Sequence, residues 1–524
     1  MLIVRSFVVI AARTTLLSRL RSHAAVVQAN QFHKTGLLFK KRKKQIDVKD
    51  LVSRVMNDTP EVIYERKVQK EAEEGEIIEI DSEDSNDNDV EVLEEIMHKT
   101  PKNPPSKKFG REIYHPRCPL SGRLLDFTPV GEKVNRHGVG KGEVQFSVMS
   151  YNVLAQELLE QHPYLYQYNN PQSLVWQQRF SGIVKEINFL KPDILCIQEV
   201  QASHLDRYYT ATLKNLGYTG TFKRRTGEKC DGCAIFWLKS KFKLLEETSV
   251  EFFQPGVSVL DRDNIAIVLR LEIDGHEVVV ATTHLLYNPK RSDIRLAQVQ
   301  LLLAELDRVS HCKIDGVTCH HPVILTGDFN LDPFSSVYKL ITSGQLRYES
   351  LSKPRLKEQP GRASPPLGCS LVPPHLGVTD CCRHASIITE RTECIERQRS
   401  VEIVTRELNL LGLHHTERRS RKMQVPKSGE HQFGSGTLSH NLSLVSAYPH
   451  RRNNKFEATT HQDEWTTVDY IFYSQLSEDL SSKRLSLLAT WRLPTVDECE
   501  ILGPIPNFDA PSDHLPIFAD FLLV

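Results

Sequence analysis

Residues 180–200 read FSGIVKEINFLKPDILCIQEV, and the change of period within them decides the fold class. Phe180, Ile183, Val184, Ile187 and Leu190 recur at the spacing of one helix face, until Pro192 removes the amide hydrogen that a further turn needs. From Asp193 to Val200 the chain is then almost continuously apolar, as in a buried strand. Upstream, Val144 to Val153 alternates Phe146 and Val148 with polar neighbours and reads as a strand ending near Asn152. Together these segments form a strand, helix, strand unit. Further strands are expected at Cys233 to Leu238, Ile265 to Ile273, Glu277 to Leu285, Pro322 to Asp328, Thr466 to Tyr473 and Ile517 to Leu523. Ser292 to Val309 carries Ile294, Val299, Leu302, Leu306 and Val309 on one face and predicts an amphipathic helix capped by Ser292. This mixture indicates an α/β domain with more than one sheet.

Around that domain the composition shifts sharply. The chain has 524 residues, 40% hydrophobic, which allows one large core with tails. Its formal net charge is zero, so a nucleic-acid partner has to be met by local patches. Residues 1–46 contain no Asp or Glu and carry Arg5, Arg13, Arg19, Arg21 and the run Lys40 to Lys44, a composition similar to a mitochondrial presequence; a disordered basic arm or a nuclear address are the alternatives. Glu71 to Glu95 is acidic throughout with no Lys or Arg, and residues 47–110 read as a disordered linker. Residues 111–524 are left as the one globular domain, interrupted at about 353–440 by a proline-rich insertion read as partly disordered. Eleven cysteines without framework spacing and no clean secretory signal point to a reducing compartment, mitochondrial, cytoplasmic or nuclear. Cys369, Cys381, Cys382, His384 and Cys394 in the insertion lack a C-x2-C pair and read as loop residues rather than a zinc site. No apolar run reaches the roughly 18 residues that a membrane helix needs.

Acidic, amide and imidazole side chains collect where the expected strands end: Asn152, Glu199, His284, Asp328, Asn330, Asp469, Asp513 and His514. Singly, each has an ordinary reading: Asp328 as a turn residue, Glu199 as an exposed strand terminus, His284 as a satisfied core histidine. Their flanks argue otherwise, because a buried strand gains nothing from ending in acids unless they are solvated or share a cation. Phosphodiester cleavage needs such a set. A hard divalent cation takes carboxylate oxygen, an Asp orients or deprotonates water, and neutral donors with His hold the developing charge.

The segments Met149 to Leu154 (MSYNVL), Leu195 to Glu199 (LCIQE), Thr283 to Leu285 (THL), Leu325 to Asn330 (LTGDFN), Val468 to Tyr470 (VDY) and Ser512 to Pro516 (SDHLP) occur in the order of the exonuclease, endonuclease and phosphatase superfamily, which the chain resembles over about residues 110–524. Within it, His284 to Gln298 (HLLYNPKRSDIRLAQ) and Leu444 to Tyr448 (LVSAY) look most like the Angel family, its homolog 2 type above all, in the deadenylase and nocturnin-like branch. The resemblance implies a four-layer sandwich of two packed mixed β-sheets flanked by helices. It also implies Mg²⁺, or Mn²⁺ in its place, on Glu199 with help from Asn152 and Asp513; Asp328 at the attacking water; Asn330 donating to phosphate; His514 on the scissile phosphate, held by Asp469; and His284 as a second phosphate contact or acid. RNA is the implied partner, with room for RNA-processing proteins. Leu154 stands where abasic-site repair enzymes often carry an acid, and Tyr470 where inositol polyphosphate phosphatases carry Arg, so DNA and lipid headgroups are disfavoured.

For the substrate, Lys223, Arg224, Arg225, Lys290, Arg291 and Arg295 are candidates for neutralising an RNA backbone, with a solvated charged surface as the alternative. Tyr287, Tyr470 and Trp465 are candidates for stacking a base, and Asn288, beside Tyr287, is a further candidate substrate contact. The expectation is a metal-dependent phosphoesterase acting on RNA 3′ ends, favoured as a hydrolase of terminal 2′,3′-cyclic phosphate. A 3′–5′ exoribonuclease, or a catalytically silent RNA-binding protein of the same fold, are the alternatives.

Overall fold

The computed structural model describes residues 123–314, 317–352, 356, 367–388, 433–461, 464–475 and 485–524. The basic arm, the acidic linker, Cys394 and much of the insertion lie outside them. The elements that build the site are β1 (Leu125–Phe127), α1 (Pro129–His137), β2 (Val144–Asn152), α2 (Trp176–Leu190), β3 (Ile194–Gln201), β4 (Tyr218–Arg224), β5 (Asp231–Leu238), β6 (Lys243–Glu251), β7 (Ile265–Ile273), β8 (His276–His284) and α3 (Ser292–Ser310). They continue with β9 (His311–Ile314), β10 (Val317–His320), β11 (Val323–Asp328), β12 (Leu444–Ser446), β13 (Asp469–Ser474), β14 (Leu485–Trp491) and β15 (Ile517–Leu523).

Two mixed sheets result. The first runs β1-β14-β15-β2-β3-β5-β4 and the second β12-β13-β11-β8-β7-β6. In each, one parallel pair sits among antiparallel neighbours: β2 beside β3, and β11 beside β8. Alternation along the strands divides the apolar residues between two faces. Phe146, Val148, Ile194, Cys196, Ile267, Leu269, Val278, Val280, Ile324 and Ile471 fill the space between the sheets. Ala266, Val268, Val279, Ala281, Val323 and Leu325 point the other way and pack under α3 through Leu302, Leu303 and Leu306. The helix α2 joins parallel β2 to β3, so it must cross over a face of the first sheet, and the second sheet already occupies the inner face. Helix, sheet, sheet, helix is therefore the layer order, as the resemblance implies.

Two corrections concern local signals. Ser292 does not cap α3; Arg291 stands at the cap without a side-chain bond, and the Ser292 hydroxyl instead accepts from Arg295 Nη2 at 3.0 Å. Second, β1, β4, β6 and β14 had no reading in the sequence. The β6 sequence KLLEETSVE is amphipathic and lies at a sheet edge, where one face stays wet and the buried run that marks a central strand is missing. The described parts of the insertion contribute Leu371, Val372, Val378, Cys382 and Leu438 to the core that packs around α3.

Candidate active site

Strands β2 and β3 of one sheet and β8, β11 and β13 of the other end on the same rim, and the seam between the sheets brings their terminal residues together. Asn152 closes β2 and is fully buried; its Nδ2 donates to Glu199 Oε1 at 3.0 Å and to Asp328 Oδ2 at 3.1 Å, so one amide links the two sheets. The amide orientation is fixed from behind, because Oδ1 accepts the backbone N–H of Leu154 at 3.1 Å. Asn152 therefore turns hydrogens, not oxygen, toward the cleft, and here it orients Glu199 rather than offering a metal its carbonyl.

Glu199 sits where the β3–β5 register slips between Ile197 and Val200, with φ of +58°. That bulge takes the carboxylate out of the strand's alternation and aims it along the rim. Oε2 accepts from the Ala155 amide at 3.1 Å. Burial, then the negative charge of Asp513, push this carboxyl above its ordinary range. A buried carboxyl raised beside a second carboxylate is the kind of donor set that a hard divalent cation relieves. Asp513 is held from its other side by Tyr166, whose hydroxyl donates to Oδ2 at 2.9 Å.

Asp328 ends β11 opposite both His284 and Asp469. Its Oδ1 accepts the Asn330 amide at 2.9 Å, while Oδ2 lies 3.5 Å from His284 Nε2 and 3.8 Å from His514 Nε2. Burial pushes its carboxyl up to about 8, against the opposing pull of His514. His514 Nδ1 is 2.8 Å from Asp469 Oδ2. Burial works against charge on this imidazole, but the carboxylates of Asp469 and Asp328 outweigh it and hold His514 well above its ordinary range. Asp328, Asp469 and His514 also offer ligand atoms all within 4.8 Å of one another. The short Asp469–His514 bond already uses one of these pairs, which leaves Glu199 and Asp513 as carboxylates that could hold a cation. His284 behaves oppositely: burial, then the charge of Arg225, push it down to about 4, leaving a neutral ring whose Nδ1 has no partner among the described residues. Asn330, with φ of +50°, donates one amide hydrogen to Leu285 O at 3.1 Å.

Several supports carried no sequence signal. Ser512 Oγ donates to Asn152 O at 2.7 Å and accepts from His514 N at 3.3 Å, tying the Asp513–His514 turn to β2. Thr459 Oγ1 accepts the amides of Val468 and Asp469 at 3.1 and 3.3 Å, and Thr460 Oγ1 donates to Asp513 O at 2.7 Å. The fully buried Arg179 of α2 donates to Val153 O, Leu154 O and Pro511 O at 2.6–2.8 Å, clamping the two loops behind the site. Beneath them, Gln198 Nε2 donates to Thr282 Oγ1 at 2.8 Å across the inter-sheet core. These are common polar residues, most with a partner tens to hundreds of residues away, so only the fold reveals the pairing.

The substrate candidates divide. Tyr470 is enclosed in the core, stacked on Phe472 with its hydroxyl donating to Leu331 O at 2.8 Å; this corrects its expected role in base stacking, since no face of the ring reaches solvent. Trp465 is likewise buried, in a small cluster with Ala458 and Leu515. Arg295, also buried, donates through Nη1 to Leu286 O and Asn288 O at 2.9 and 2.7 Å, so it shapes the turn that presents Tyr287 and Asn288. Those two are exposed. In the insertion, His384 lies 3.0 Å from Glu305 Oε2, and no metal cluster forms there among the described residues.

A fold with this seam and this set of acids, amides and imidazoles belongs to phosphoester hydrolases. The endonuclease/exonuclease/phosphatase family model matches residues 149–514, and the chain belongs to that family. Within the family it groups with the Angel proteins. It is 39% identical to human protein angel homolog 2 over 402 residues, covering 73% of this chain and 70% of that one. The zebrafish (Danio rerio) protein of the same name is 36% identical over 448 residues, covering 82% and 71%. Among solved structures it resembles ANGEL2, a 2′,3′-cyclic phosphatase, also seen with adenosine-2′,3′-vanadate, at 37% identity and a TM-score of 0.60; the match covers 76% of this chain and 97–98% of those.

Proposed function

We propose that the protein hydrolyses the terminal 2′,3′-cyclic phosphate of RNA in the presence of Mg²⁺. The observation that carries this reading is the Asp328, Asp469, His514 and His284 constellation, complete at the seam, in a chain 37% identical to a 2′,3′-cyclic phosphatase. Glu199 and Asp513 would hold the cation, which supplies charge neutralisation at the phosphate when bound. The chain's own groups do the rest. Asp328, raised toward neutral pH, is a far stronger base for water than an ordinary carboxylate. The charged His514, steadied by Asp469, faces the charge that builds on phosphorus-bound oxygen. Neutral His284 and the second amide hydrogen of Asn330 donate to the remaining oxygens. One P–O bond to water oxygen forms, one ribose ester bond breaks, and the leaving ribose oxygen takes a proton.

The basic residues favour recognition of a terminus over a sustained grip. Lys223 pairs with Glu251, Arg225 with Asp231 and Arg291 with Asp293, while Arg295 is spent on carbonyls, so four of the six candidate phosphate contacts are turned on the chain itself. A processive exonuclease needs a track of free cations along several phosphates. Incubation with 3′-labelled RNAs ending in hydroxyl, phosphate or cyclic phosphate, with and without Mg²⁺, separates the readings. Metal-dependent opening of the cyclic end, with little dependence on length beyond a few nucleotides, is expected. Ladders from hydroxyl-ended RNA with the cyclic end untouched would restore the exonuclease. The acid-free residues 1–46 support delivery to mitochondria, and a reporter fused to them is expected to enter that organelle rather than remain diffuse.

A further inference from the structure

Cys312 and Cys319 face each other across the antiparallel hairpin of β9 and β10, directly opposed in register. Their sulfurs are 3.1 Å apart, and neither is in a disulfide. A disulfide bond is about 2.05 Å long and needs Cβ atoms about 3.5–4.5 Å apart. Opposed residues on antiparallel strands stand about 4.5–5.5 Å apart at Cβ, so a small approach of the two strands closes the bond. Cys196, Cys233, Cys382 and Cys499 are sealed in the core, whereas Cys312 and Cys319 are both half-buried and within reach of small oxidants. Alternation along the strands puts the pair on the face opposite His320, whose Nε2 lies 3.0 Å from Asp307 Oδ1 on α3. One face of the hairpin is thus tied to α3 while the other carries two thiols in contact.

We infer that Cys312 and Cys319 are a reversible dithiol–disulfide pair, oxidised within one chain by a peroxide or by a small disulfide of the glutathione type. With peroxide, one thiol takes an oxygen to become a sulfenic acid and releases water; the second thiol displaces that oxygen as a second water and forms the S–S bond. Two electrons pass from the sulfurs to the peroxide, and both thiol protons end in water. With a small disulfide, the same electrons and protons leave as two small thiols. The pair sits near the Val323 end of β11, whereas Asp328 ends that strand about 16 Å further on at ~3.3 Å per residue. The bond therefore staples the hairpin joining α3 to β11 without touching the catalytic groups.

The test uses the full chain, treated with hydrogen peroxide or oxidised glutathione, alkylated and digested with trypsin. Oxidation is expected to join peptide 309–313 to peptide 314–339, with loss of two hydrogens and reversal by dithiothreitol. The melting temperature should rise by several degrees on oxidation of the wild type and not of Cys312→Ser, in which Cys319 becomes alkylated or carries glutathione. Turnover by the oxidised protein should stay within twofold of the reduced. Full alkylation of both cysteines after oxidant, or Cys312 joined to a different cysteine, overturns the inference.

Discussion

Glu199 carries its carboxylate on backbone that L residues seldom adopt, and the strain is sited where the chemistry needs it. The side chain is raised by burial and by Asp513, so it strains the apo fold as well as serving it. Glu199→Ala is expected to lower turnover on the order of 10²-fold or more while the melting temperature stays the same or rises. Full activity in Mg²⁺ would refute the metal assignment. Asp469 acts through His514: its carboxylate fixes the Nδ1–H and holds the ring charged. Asp469→Asn should reduce kcat by about 10²-fold with KM little changed, and it should lower the pH above which activity falls, because the imidazole then loses its proton sooner. An unchanged pH profile would assign Asp469 a purely structural part.

Among the elements, β11 bears the tightest constraint. Gly327 precedes Asp328 with φ of +140°, and a Cβ there would stand 2.0 Å from Thr283 O of the neighbouring β8. Only glycine lets the two parallel strands stay in register up to the Asp328–His284 pair. Gly327→Ala is expected to destabilise the protein by about 2–4 kcal/mol, read from the urea midpoint, and to reduce activity further than the lost stability accounts for. Helix α3 illustrates the converse. Its apolar spacing was plain in the sequence, but nearly every residue of Ser292–Ser310 is buried, including Asp293, Gln298 and Gln300, because the described insertion segments cover its outer side. Helical periodicity shows one packed face; it does not show a second layer arriving from residues 371–388 and 433–438.

Across the molecule, the sheets meet at a seam whose ends gather the catalytic set, and the layer behind the first sheet stores a buried acid. Glu186 of α2 has one carboxylate oxygen enclosed without a partner, and burial pushes it from an ordinary 4.5 up to about 7, with Tyr151 and then Arg123 opposing. The folded state prefers its protonated form. Its stabilisation is therefore complete below about pH 4.5 and is lost as the pH rises toward 7. Glu186→Gln removes that titration, so its melting temperature should gain on the wild type as the pH is raised from 5 to 8. A constant difference between the two proteins over that range would show that Glu186 is solvated in the fold.

The sequence by itself determined the central strands and the residues that end them. A strand buried on both faces must be continuously apolar, and an acid or amide at its tip stands out against that run, as at Asn152, Glu199 and Asp328. The order of six such motifs was enough to place the chain in its family. The edge strands β1, β4 and β6 escaped because half-wet strands look like ordinary polar chain. Only the tertiary structure decided what each site residue does: that Asn152 spends its amide on Glu199 and Asp328, that Tyr470 is core, that Arg295 shapes a turn, and that Arg179, Ser512 and Thr459 hold the rim together. The physical reason is that hydrogen bonds and burial are set by neighbours brought from up to several hundred residues away, and composition or spacing along the chain carries no trace of which neighbours those are.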